Sequence, residues 1–205
     1  MLVHAVRGLC TAPVDLSHVV VAVPAGTERE IRELLEPHCG KAELICVAGG
    51  ADRTESVRCG LAALPADVAF DCVLVHDAAR PFVPAVVVAR VVEAVLAGAD
   101  AVIPVLPVTD TIKRVDDDGQ VVDTPDRSAL VAVQTPQGFR PDVLRRAHAT
   151  AAGPATDDAA LVERLGLPVD TVEGSQESLK ITRPADLLIA EAILNERSLA
   201  ERSRP

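Results

Sequence analysis

Through the first two thirds of the chain, short runs of β-branched and aliphatic residues alternate with segments whose apolar positions recur every three to four residues. This alternation predicts strand–helix–strand units and an α/β fold with a Rossmann-like, doubly wound, mostly parallel sheet. HVVVAVP (18–24) reads as a strand. It leads into TEREIRELLEP, where Thr27 and Glu30 have capping-box spacing and Ile31, Leu34 and Leu35 share a face. ELICVAG (43–49) is the next expected strand, and RTESVRCGLAAL (53–64) a helix turning Val57, Leu61 and Leu64 inward. DCVLVHD (71–77) has the continuous apolar centre of a strand buried on both faces. Pro84 opens a helix that stops at Gly98, and the strand DAVIPVLPV follows.

The pattern changes at Thr109. β-branched residues flank Asp118-Gly119, the strongest hairpin signal in the chain, so a protruding arm is expected over about 109–127. LVAVQTPQ (130–137) reads as a strand that rejoins the sheet, PDVLRRAHAT as a helix, and TDDAALVERLG (156–166) as a helix capped by Thr156. PVDTVEG and SLKITRP read as two late strands before a closing amphipathic helix. Without internal repeats or low-complexity linkers, residues 1–205 are expected to form one domain with its arm.

Composition narrows the function. With 205 residues, 49% of them hydrophobic and 24% charged, the chain can bury a sizeable core, which excludes disorder and fibre. Acidic residues outnumber basic ones 30 to 20, and the only aromatic residues of the Phe, Tyr and Trp class are three phenylalanines. Nucleic acid is therefore not an expected partner, because it needs clustered cations and stacking rings. An anionic substrate must instead be met by a few well-placed cations. The longest aliphatic runs fall far short of the ~18 residues of a membrane span. Five cysteines without a C-x-x-C pair suit reduced thiols acting as small hydrophobes. The first residues lack a secretory pattern, so the expected location is the cytoplasm.

Doubly wound sheets bind ligands at the carboxyl ends of their strands. After the second strand, Gly49 and Gly50 enter a helix carrying Ser56, a place for an anion or a nucleotide edge, or else plain turn chemistry. After the third comes His76-Asp77-Ala78-Ala79-Arg80. Asp77 can hold Mg²⁺ or a sugar hydroxyl and Arg80 a phosphate, or the two can form a capped turn with an ion pair. His76 suits a structural role. On the arm, Thr111, Lys113, Asp126 and Arg127 are by themselves solvated charges and polar groups of a hairpin. Thr135 and Lys180 follow two later strands. Four strand ends with phosphate-compatible groups point to a nucleotide or sugar phosphate.

The blocks VLVHDAARPF, PVTDTIKRV, LVAVQTPQGF, TDDAALVE and SLKITRPADL occur in this order from residue 73 to residue 187. In sequence and spacing they resemble the 2-C-methyl-D-erythritol 4-phosphate cytidylyltransferases, over about residues 1–195. The resemblance implies a nucleotidyltransferase that uses CTP, methylerythritol phosphate and Mg²⁺, releases pyrophosphate in non-mevalonate isoprenoid synthesis, and forms a homodimer through the β-arm. By the same resemblance, Gly49, Gly50 and Ser56 contact cytosine and ribose, with the Ala78 backbone beside them. Asp77 lies between ribose, metal and polyol. Arg80, Thr111 and Arg127 hold methylerythritol phosphate, the arm residues across the dimer, while Thr135, Thr156 and Lys180 complete the pocket. Arg127, Lys180 and Asp77 are the implied catalytic residues.

The family also begins with a strand and a glycine-rich P-A-A-G-x-G loop that wraps the triphosphate, and neither matches this sequence. Met1 aligns inside the first helix of the family, so a unit of about thirty residues is expected to be missing, with a central strand lost and little or no transfer activity. A related ribitol 5-phosphate cytidylyltransferase and a sugar-phosphate-binding remnant without turnover are the alternative readings.

Overall fold

The computed structural model describes residues 1–151, 153 and 155–202. In chain order the elements are α1 (Leu2–Cys10), β1 (His18–Val23), α2 (Glu28–Leu35), β2 (Glu43–Ala48), α3 (Arg53–Ala63), β3 (Val73–Val75), α4 (Ala85–Leu96) and β4 (Ala101–Pro107). There follow β5 (Arg114–Val115), β6 (Val121–Asp123), β7 (Val131–Val133), β8 (Gln137–Phe139), α5 (Pro141–Thr150), α6 (Ala159–Glu163), β9 (Asp170–Glu173) and α7 (Pro184–Arg202).

β1 and β2 pair in parallel, from His18 opposite Glu43 to Val23 opposite Ala48. A second sheet has the order β3-β8-β4-β7, with β9 parallel to β4. Both β3 and β4 run antiparallel to β8, so they point the same way, as the strand–helix–strand pattern requires. The arm is the β5–β6 hairpin, and Gly119 at its tip has φ +80°, a conformation that favours a residue without a Cβ.

Packing explains why these segments fold as they do. On α4, Val87, Val88, Val91 and Val95 are buried, a stripe at helical spacing that covers the sheet. It lies so close to β8 that a Cβ on Gly138 would come within 2.5 Å of Val91 Cγ1. Phe139, Leu144, Leu161 and Val162 form one core, beneath α5 and α6. Val6, Val19, Leu35 and Leu44 form another, between α1, α2, β1 and β2.

A groove separates these regions. Among the described residues β1 pairs only with β2 and β3 only with β8. The space between them, about 1000 Å³, is lined by residues including Val6, Leu9, Val21, Leu61, Leu64 and Val75. This is why Val73, Leu74 and Val75 are half-buried rather than enclosed on both faces, and why Leu61 and Leu64 face a groove.

Other departures are local. The Thr27 hydroxyl donates to the Pro24 carbonyl at 2.7 Å instead of capping α2. The expected strand 130–137 is two short strands, β7 and β8, with Gln134, Thr135 and Pro136 between them. Asp158, not Thr156, stands at the start of α6, and Asp157 accepts from Ala160 N–H at 2.9 Å. SLKITRP is not a strand: Ile181 N–H donates to the Ala79 carbonyl at 2.8 Å, and the segment otherwise runs as loop into α7. All five cysteines are free thiols, and burial pushes Cys10 and Cys72 up to about 11. No helix among the described residues is long and apolar enough to cross a membrane.

Candidate active site

The turn after β2 is tied to β1 and to the first turn of α3. Gly49 N–H donates to the Val23 carbonyl at 2.8 Å, and Gly50 N–H donates to Ser56 Oγ at 3.1 Å. Ser56 in turn donates to the Asp52 carbonyl at 2.8 Å, and Asp52 caps α3 by accepting from Glu55 N–H at 2.8 Å. A Cβ on Gly50 would collide with Glu55, including its backbone carbon, so this tight turn requires glycine.

The loop after β3 is held from beneath by His76. Its Nε2 lies 3.0 Å from the Arg80 carbonyl and its Nδ1 3.0 Å from Thr135 Oγ1, while Thr135 Oγ1 accepts from Asp77 N–H at 3.0 Å. A neutral ring with the proton on Nε2 satisfies all three contacts, the threonine hydroxyl donating to Nδ1. Thr135 is therefore buried and orients the Asp77 loop rather than presenting a free hydroxyl.

Burial holds His76 neutral, lowering its pKa from the usual 6.5 to about 4. Because the native value is the lower one, the unfolded chain takes up the proton first. This contribution to stability is full above pH 6.5 and is lost as pH falls from there towards 4, by up to about 3 kcal/mol. Urea unfolding at pH 7 and pH 5 is expected to show this loss in the natural chain and a flatter response in His76→Gln. Equal slopes in both would assign the acid sensitivity elsewhere.

Asp77 gathers three cations. Lys180 Nζ lies 2.9 Å from Oδ2, Arg53 Nε 3.3 Å from Oδ1, and Arg80 Nε 3.9 Å from Oδ2. Burial alone would raise the Asp77 pKa, but the hydrogen bond from Lys180 and the charge of Arg53 outweigh it and hold the carboxyl below its ordinary range. Arg80 is mostly enclosed and donates to the Ser178 carbonyl at 2.7 Å and the Val133 carbonyl at 3.2 Å, while its Nε has no hydrogen-bond partner among the described residues. Lys180 is 44% exposed and is the more accessible of the two.

The structure thus brings Asp77, Arg80, Thr135 and Lys180 together. Ser56, Asp77 and Ala78 line the same groove, joining the glycine turn to this cluster. Thr156 is exposed, just after Ala155, whose N–H donates to Thr54 Oγ1 at the start of α3. Thr111 and Arg127 lie on the arm and are exposed. Arg127 donates to the Thr109 carbonyl at 2.7 Å, and no ion pair or hydrogen bond among the described residues joins either to Asp77. They line or flank a separate hollow at the arm's root, between Pro107 and Val131.

Sequence reasoning missed Arg53. Its Nη1 lies 2.7 Å from Asp158 Oδ2, and the other oxygen of Asp158 is 2.9 Å from His148 Nε2. Asp158 and His148 are 1% and 2% exposed, so a buried acid carries the arginine towards Asp77. The available signal was an arginine after two glycines together with the acidic pair that opens α6.

An α/β fold with a glycine turn at a helix entrance and a cationic cluster at the neighbouring strand end is the arrangement of a nucleotidyltransferase. The solved structures it resembles agree. The 4-diphosphocytidyl-2C-methyl-D-erythritol synthase of Anaerococcus prevotii superposes with a TM-score of 0.83 at 28% identity, covering 95% of this chain and 85% of that one. The 2-C-methyl-D-erythritol 4-phosphate cytidylyltransferase of Thermus thermophilus gives a TM-score of 0.71 at 43% identity, covering 86% and 81%. The relative from Rhodococcus jostii bearing the same enzyme name is 54% identical over 196 residues, 96% of this chain and 83% of its own length. The family model for 2-C-methyl-D-erythritol 4-phosphate cytidylyltransferase (IspD) matches residues 1–196. The chain belongs to that family.

Proposed function

We propose that the reaction this site serves is transfer of CMP from CTP to 2-C-methyl-D-erythritol 4-phosphate, releasing pyrophosphate, in a soluble cytoplasmic enzyme; turnover by this chain would set aside the expectation of little or no transfer that the unmatched triphosphate loop raised. The carrying observation is the Asp77–Lys180–Arg80 cluster beside the Gly49–Ser56 turn, in a member of this family. Residues 1–205 act as one nucleotidyltransferase-like unit with the arm as its dimer contact. A phosphate oxygen of the polyol attacks the α-phosphorus of CTP, one P–O bond forms, and the bond to the β-phosphate breaks, pyrophosphate taking the electron pair. A phosphate dianion has no proton to lose, so catalysis needs positioning and charge neutralisation rather than a base.

Gly49, Gly50 and Ser56 would seat cytosine and ribose, with the Ala78 backbone beside them. Arg80 and Lys180 would meet phosphate, and Thr156 would close the same wall. Thr111 and Arg127 would reach the polyol phosphate of a neighbouring subunit in a homodimer. Among the described residues no group of three or more acidic, histidine or cysteine side chains is placed to hold a metal. A magnesium ion carried by the nucleotide would touch the protein at Asp77, whose Oδ2 is opened to it when Lys180 moves to a phosphate. When bound, the ion would neutralise phosphate charge.

The test is pyrophosphate release with CTP and methylerythritol phosphate together, against either alone and against ribitol 5-phosphate in competition. Release dependent on both, and insensitive to ribitol phosphate, is expected. Arg127→Ala is expected to raise KM for methylerythritol phosphate about tenfold while leaving KM for CTP within about twofold. Equal effects on both would remove the arm from the polyol site. A second reading, binding of the sugar phosphate without turnover, rests on the cluster alone, since Lys180 and Arg80 offer a phosphate seat whether or not a triphosphate is held. Thermal stabilisation by methylerythritol phosphate but not CTP would select it.

A further inference from the structure

Arg53 touches two carboxylates of different kinds. Asp158 is buried, fixed on its other side by His148, and cannot move without breaking a contact between α5 and α6. Asp77 stands at the mouth of the site and divides its oxygens, Oδ1 towards Arg53 and Oδ2 towards Lys180. Burial opposes a charge on Arg53, but Asp158 first and Asp77 second more than compensate and raise its pKa. The guanidinium is therefore a fixed cation, and its fork suits two carboxylates at once where an ammonium would serve one.

This geometry bears on Lys180. A carboxylate paired with one cation concentrates its charge on that partner, whereas one already paired with a fixed arginine holds a second cation less tightly. A phosphate entering the site must take Lys180 away from Asp77. We propose that Arg53 is a positioning residue that pins Asp77 and absorbs part of its charge, so that Lys180 remains exchangeable and can be handed to a substrate phosphate. The proposal rests on the reading that Lys180 meets phosphate. It assigns the two acidic residues distinct tasks: Asp158 anchors Arg53, and Asp77 holds the lysine until substrate arrives.

The test is calorimetric titration of the full chain with methylerythritol phosphate, which needs no turnover. The proteins are the natural chain, Arg53→Met, Arg53→Lys, Lys180→Met and the double variant Arg53→Met/Lys180→Met, each melted by circular dichroism. Arg53→Met is expected to weaken binding about tenfold in the natural background and about twofold or less when Lys180 is already methionine. Arg53→Lys, which keeps the charge but loses the fork, is expected to fall between. If Arg53→Met does not fold, Arg53→Lys takes its place in the cycle with the same sign. Equal losses with and without Lys180 would overturn the proposal and leave Arg53 a structural tether. Absence of binding by the natural chain would instead overturn the sugar-phosphate reading, and this inference with it.

Discussion

Lys180→Ala is expected to lower kcat/KM for cytidylyl transfer by about 10² to 10³, the cost of about 3 to 4 kcal/mol that follows loss of one charge-stabilising donor at a transition state. The melting temperature should hardly move. The lysine side chain is 44% exposed, and Asp77 keeps Arg53 as a partner when the ammonium is gone. Because the ammonium keeps its contact with water, the pair with Asp77 adds little to stability in its own right. Steady-state kinetics with each substrate varied in turn, together with a thermal melt, decides the matter. A large drop in melting temperature with unchanged kinetics would make Lys180 a structural residue and remove the cationic wall on which the functional reading stands.

Asp158→Ala should do the reverse. Removing an acid that is 1% exposed takes one of two carboxylates from Arg53 and leaves the buried His148 Nε2 without its partner. Breaking a buried ion pair from one end costs about 3 to 5 kcal/mol, and the loss here should lie near the lower figure, because Arg53 is 32% exposed and keeps Asp77 as a partner. The loss should appear in the denaturant midpoint, before any substrate is added. Asp158→Asn, which keeps the shape and one acceptor, should recover part of it. An unchanged midpoint in Asp158→Ala would show that α5 and α6 hold together through Leu144, Leu161 and Val162 alone.

Much of the fold was legible because the physics that forms each element is local. Val19 to Val23 can scarcely be anything but a strand, and Asp118-Gly119 permits a tight turn that other residues resist. The errors arose where a distant partner decides. SLKITRP has strand composition, yet its segment makes a single backbone bond to the Asp77 loop, at Ala79, and so delivers Lys180 to the site as loop. Thr156 has cap chemistry, but Asp158 takes the position at the start of α6, close enough for its side chain to receive Arg53.

Site residues divide in the same way. Asp77, Arg80 and Lys180 were visible as charges at strand ends, and the structure gathers them. Arg53 was harder to read, because the signal after the two glycines gains its meaning only from an acid 105 positions away. Thr135 was visible as a hydroxyl but not as one already engaged by His76 and the Asp77 amide.

The cleft that parts β1 from β3 also bears on how the molecule comes undone. The layer of α1, β1, α2 and β2 has its own apolar cluster and, among the described residues, shares no strand pairing with the rest, so it can open as a separate cooperative unit. Amide exchange should therefore reach Val20 and Ile45 through an opening of lower free energy than the one that exposes Val102 and Phe139.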